Sequence, residues 1–89
     1  MPRVVLTSNL KRHVECTDSV VAGETVRQVL DAVFQQQAGL RGYVLNEHGQ
    51  LRTHMAVFLD GRPVKDRQHL SDPVNGESEV YIMQALSGG

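Results

Sequence analysis

The sequence predicts an α+β domain: a sheet of four or five strands with one main helix packed on one face. Three observations carry this. Val26, Val29, Leu30, Val33 and Phe34 recur at helical spacing and form one apolar stripe. Arg3–Thr7, Met55–Leu59 and Glu79–Ala85 are short runs rich in β-branched and aliphatic residues, which read as strands. Asp60-Gly61 sits where a two-residue hairpin turn would need positive φ at both central residues.

At the N-terminus, Arg3–Thr7 and a second strand at Asp18–Ala22 make a hairpin. Between them Ser8–Val14, with Lys11, Arg12 and His13, reads as a polar loop. Thr25 followed by Gln28 is a capping box: the hydroxyl takes the Gln28 N–H and the Gln28 side chain reaches back. The helix is placed at about residues 25–38, with Gly39 where a left-handed C-terminal residue belongs. Leu40–Thr53 is irregular, with Leu40, Tyr43, Val44 and Leu45 in one short turn against the core and Asn46–Gln50 as a loop. Arg62–Lys65 is the partner strand of the Asp60-Gly61 hairpin. Pro63 has no N–H, so that strand is an edge. Asp72-Pro73 and Asn75-Gly76 mark turns before the last strand.

One helix cannot cover both faces of such a sheet, and strand alternation sorts the faces. Val4, Leu6, Met55, Val57, Leu59, Val80 and Ile82 point to the helix. Ala56, Phe58, Tyr81 and Met83 then point to the open face, as a candidate docking surface for a partner. Two arrangements would close that surface: a fold of residues 40–53 over it, or a register shift of one residue, which exchanges the faces.

Composition narrows the function. The chain has 89 residues, 40% apolar and 21% charged, which fits one small globular domain. Nine Lys and Arg against ten Asp and Glu exclude a strongly basic nucleic-acid binder and a polybasic membrane-surface protein. A single cysteine, Cys16, excludes an intrachain disulfide and any cysteine-rich metal cluster; it reads as a half-buried small residue. His13, His48, His54 and His69 fall on separate elements without ligand spacing, so no metal site is expected. Arg41, Arg52, Arg62, Lys65 and Arg67 read mostly as a solvated face, some of them able to meet an acidic rim on a partner. The first residues turn polar too soon for a signal peptide, and no apolar run approaches the ~18 residues of a membrane span. The expectation is a soluble cytoplasmic domain that binds neither nucleic acid nor membrane.

The chain ends Ala85-Leu86-Ser87-Gly88-Gly89. That ending, together with the order of elements, resembles the MoaD/ThiS family of sulfur carriers, bacterial and archaeal relatives of ubiquitin. Val57-Phe58-Leu59-Asp60-Gly61-Arg62-Pro63-Val64 is similar to the family's strand–turn–strand. Gly76-Glu77-Ser78-Glu79-Val80-Tyr81-Ile82 is similar to its entry into the last strand, departing at Ser78, where Asp is usual. The resemblance implies a ubiquitin-like β-grasp fold: a mixed four- to five-stranded sheet with the helix on one face, a domain over residues 1–86, and a flexible tail at residues 87–89. The length of the Leu40–His54 segment resembles molybdopterin-type and cysteine-type carriers more than thiamine-type ones.

The resemblance also implies a carrier and substrate, not an enzyme. A ubiquitin-activating-type partner would adenylate the Gly89 carboxylate with ATP. A sulfur donor would convert the adenylate to a thiocarboxylate, and a biosynthetic acceptor enzyme would take the sulfur. The chain itself would hold no cofactor and no catalytic residue; Ser87 and Gly88 would form the tail that presents Gly89. These residue types suit the task. An α-carboxyl with a reference pKa of about 3.3–3.7 is anionic at neutral pH. Glycine leaves the carbonyl carbon unhindered and lets the tail thread a narrow channel. Two alternatives share the same tail: a ubiquitin-like modifier joined to lysines through Gly89, and a non-covalent small subunit of a molybdopterin-synthase-like complex.

Overall fold

The computed structural model describes residues 1–84. Residues 85–89, with the expected domain end at residue 86 and the tail residues Ser87, Gly88 and Gly89, lie outside the described residues. The elements are β1 (Arg3–Leu6), α1 (Ser8–His13), β2 (Ser19–Val20), α2 (Val26–Gln36), α3 (Ala38–Val44), β3 (Met55–Leu59), β4 (Arg62–Pro63) and β5 (Glu79–Gln84). The sheet order is β2-β1-β5-β3-β4. The first and last strands are parallel neighbours and the other pairings are antiparallel, so the sheet is mixed.

Register decides which side chains meet. Val4 pairs with Val80, Leu6 with Ile82, and Ile82 with Val57. These residues and Met55 are each no more than 2% exposed. The helices cover this face. Val26, Val29, Leu30, Val33 and Phe34 are all buried, as the stripe requires, and join the strand residues in one core. Leu59 packs at its margin.

At the start of α2, Thr25 Oγ1 accepts from Gln28 N at 3.2 Å. The Gln28 side chain reaches one residue further back than the expected box and accepts from Glu24 N at 2.9 Å. The amides of Val26 and Arg27 donate to the carbonyls of Asp72 and Leu70. The helix's unpaired N-terminal donors are thus satisfied by the segment that leads to β5.

Three expectations about the helical layer are corrected. Ser8–Val14 is not a loop: residues 8–13 form α1, which drives a fully buried Leu10 into the core and ends on Lys11, Arg12 and His13, the charge that suits a helix C-terminus. The main helix ends at Gln36 rather than residue 38, and Gly39 is not a left-handed cap but lies inside α3. The break falls at Gln37, whose side chain accepts from Thr17 N at 2.8 Å and donates to Thr17 O at 3.0 Å. That pin holds Gln37 out of helical geometry and the chain re-enters a helix immediately. The short turn expected over Leu40–Leu45 is instead α3, with Leu40 and Val44 buried, while Asn46–Gln50 is the expected loop, set between the bridged Leu45 and Leu51 and closed by Asn46 Oδ1 and by Gly49 at φ +76°.

The strand ends also differ. β2 is two residues, not Asp18–Ala22, because Asp18 turns its carboxylate to the Leu6 amide at 2.9 Å and to Lys11 Nζ at 3.2 Å. The Leu6 hydrogen bond, with Lys11 beside it, holds the Asp18 carboxyl below the usual range. β4 stops at Pro63 on the sheet edge. Lys65, expected within it, donates its amide to Asp72 instead. Asp60 (φ +51°) and Gly61 (φ +84°) are both left-handed, as their hairpin requires.

Candidate functional site

The strands that build the core carry a second, half-buried surface on their other side. β3 and β5 are antiparallel neighbours, with Phe58 opposite Tyr81 and Ala56 opposite Met83. Val5 continues the row beyond Tyr81, and Pro63 continues it beyond Phe58. The register is the expected one. Residues 40–53 do not close this face: Leu40, Val44, Leu45 and Leu51 are buried in the core on the helical side. Phe58, Tyr81 and Met83 line a groove of about 470 Å³ together with Asp60, Gly61 and Glu79. Ala56 adjoins it across the strand from Met83.

Asp60 and Glu79 are functional candidates that the sequence reading missed. The Asp60 amide donates to Glu79 O at 2.9 Å, and Glu79 N donates to Asp60 Oδ1 at 2.8 Å. The left-handed turn is thereby locked to the first residue of β5. Glu79 shares the parity of Tyr81 and Met83, so alternation alone places it on this face. Asp60 was read for its turn geometry and not for its charge.

Other residues have different duties from those expected. Arg52 and Arg67 are not simply solvated: Arg52 Nε donates to Gly42 O at 2.8 Å, and Arg67 Nη2 donates to the carbonyls of Arg52 and Met55 at 3.0 and 2.9 Å. Arg27, on α2, binds Gly49 O at 2.6 Å and His69 O at 3.3 Å. These guanidiniums pin loops to the helical layer. Cys16 is buried rather than half-buried, and burial raises its thiol pKa, against the thiolate a nucleophile needs. The four histidines are exposed. Among the described residues no three His, Cys, Asp or Glu side chains gather as a metal site, and no helix is long and apolar enough to cross a membrane. Smaller depressions of about 230 and 300 Å³ lie beside Gly42, Tyr43, Arg52 and His54, and beside Asp31, Phe34, Gln35 and Arg41.

A mixed sheet centred on parallel first and last strands and, among the described residues, covered by helices on one face only defines a small ubiquitin-like β-grasp protein. The chain belongs to the ThiS family, whose model matches residues 9–89. Among solved structures, SAMP1 from Haloferax volcanii is 23% identical with a TM-score of 0.77, over 99% of this chain and 98% of that one. The Amycolatopsis orientalis BexX/CysO complex contains a chain 22% identical with a TM-score of 0.82, covering 100% of both. Mycobacterium tuberculosis CysO, described as an antigen, is 16% identical with a TM-score of 0.80, over 97% of this chain and 100% of that one. At these identities the likeness is one of fold. No curated protein matches the chain in sequence.

Proposed function

We propose that the chain is a sulfur carrier that works through the Gly89 carboxylate. The observation that carries this reading is the family match, which runs through the terminal Gly88-Gly89. In the proposed cycle a carboxylate oxygen of Gly89 attacks the α-phosphorus of ATP on a ubiquitin-activating-type enzyme, and pyrophosphate leaves. The terminal sulfur of a donor persulfide attacks the acyl carbon, and AMP leaves. A thiol then cleaves the resulting S–S bond, is itself oxidised to a disulfide, and frees the thiocarboxylate. The acceptor is an enzyme of the molybdopterin or cysteine biosynthetic type, and the cycle runs in the cytoplasm without a cofactor or metal on the carrier and without nucleic acid or membrane.

Phe58, Tyr81, Met83 and Ala56 form the docking surface in this reading. Ordering the tail on a partner costs roughly 1–2 kcal/mol per residue. Burying the three large side chains at about 25 cal/mol per Å² offsets it by a few kcal/mol. Deleting Gly89 is expected to abolish ATP–pyrophosphate exchange on the activating enzyme while leaving the melting temperature unchanged. Exchange that survives the deletion refutes the role of Gly89.

The likeness to SAMP1, named elsewhere among similar structures as a small archaeal modifier protein, favours a second reading, conjugation of Gly89 to lysines. Intact mass separates the two. The carrier gains the mass difference of sulfur for oxygen, whereas the modifier appears as a whole chain added to another protein through a Gly89–lysine isopeptide bond. In a third arrangement, the non-covalent subunit, the chain co-purifies with a larger catalytic subunit.

A further inference from the structure

The groove on the open face has an apolar floor, Phe58, Tyr81 and Met83, and an acidic rim, Asp60 and Glu79. We propose that the activating partner fills it with an apolar side chain flanked by a lysine or arginine, whose cation lies between Asp60 and Glu79. This rests on the carrier reading above and adds the chemistry of the partner's contact.

Asp60 is fixed before any partner arrives: its amide donates to Glu79 O at 2.9 Å and its Oδ1 accepts from Glu79 N at 2.8 Å, so little ordering of this acid remains to oppose binding. Among the described residues no cation pairs with Asp60. Glu79 has Arg3 Nη1 at 4.0 Å, a long contact between exposed groups that a better-placed cation can displace. A partner that covered the apolar floor with purely apolar or acidic residues would desolvate two carboxylates without compensation. Charge complementarity therefore selects a basic residue next to the apolar one.

Asp60→Asn keeps the oxygen that accepts from Glu79 N and suits the left-handed φ, while removing the charge. Combined with Glu79→Gln, it is read in ATP–pyrophosphate exchange with the activating enzyme from the cell of origin. The expected result is a KM for the carrier raised about tenfold at low ionic strength, an unchanged kcat, and a flatter dependence of KM on salt. Arg3→Gln, which frees Glu79, is expected to lower KM roughly twofold. A simple loss of fold cannot produce that opposite sign. An unchanged KM in the double variant, or a raised KM in Arg3→Gln, overturns the inference alone. No exchange even with the wild-type chain removes the carrier reading and the inference with it.

Discussion

The two faces of one sheet are built from the same strands and do opposite things. On β3, Met55 and Val57 are 1% exposed, while Ala56 and Phe58, their immediate neighbours, are half-buried. On β5, Val80 and Ile82 are fully buried between Glu79, Tyr81 and Met83, which are not. Large apolar side chains occur on both faces, so apolarity alone does not distinguish them. The difference is that, among the described residues, three helices complete the packing on one side and none does on the other. The covered face holds the fold together. The other face leaves Phe58, Tyr81 and Met83 half-buried, the apolar area that the proposed docking would use.

The contrast is broken most severely from the covered side. Leu30 is fully buried at the centre of the α2 stripe. Leu30→Ala is expected to cost about 2–5 kcal/mol of unfolding free energy in denaturant titration, as a cavity-forming truncation. From the bare side, Phe58→Ala or Met83→Ala should cost roughly 1 kcal/mol or less, because much of each side chain is in solvent before and after. Each should nonetheless raise the KM for the activating enzyme. A stability loss as large as that of Leu30→Ala would show that both faces are core and end the contrast.

How far this was legible in advance follows from periodicity. The α2 stripe and the strand alternation repeat over enough residues to fix which side chains point inward, so the faces and the apolar floor of the groove could be read before any coordinates. The two short helices could not. In α1 a single buried residue, Leu10, defines no stripe; in α3 Gly39 reads as the end of the preceding helix rather than as the inside of a new one. The arginine pins from Arg27, Arg52 and Arg67 bind carbonyls that are mostly far away in sequence, which leaves no local pattern. Asp60 became an acidic rim residue when its turn folded against β5, a long-range event that the Asp-Gly pair does not announce.

The smallest expected effect belongs to the loop that closes the covered face at the start of α2. Asp66 accepts hydrogen bonds from Ser71 Oγ at 2.6 Å and from the amides of His69 and Gln68. These bonds, with that from Ser71 the strongest, lower its carboxyl pKa to about 2. The same turn holds Leu70 left-handed (φ +55°) and fully buried, and turns its carbonyl to the Arg27 amide. The folded-state pKa lies below the unfolded value, so the ionised form is favoured by folding. Its contribution to stability is therefore complete above about pH 4, shrinks as the pH falls, and is gone once the pH passes below about 2. The carboxylate is exposed to solvent, so the effect on global stability is slight and the clearer readout is local. Amide chemical shifts of Gln68 and His69 should titrate with a midpoint near 2, and Asp66→Asn should remove that titration. A midpoint near 4 would mean that the turn does not favour the carboxylate, and that this edge of the covered face is held by Leu70 and the Asp72 and Leu70 carbonyls alone.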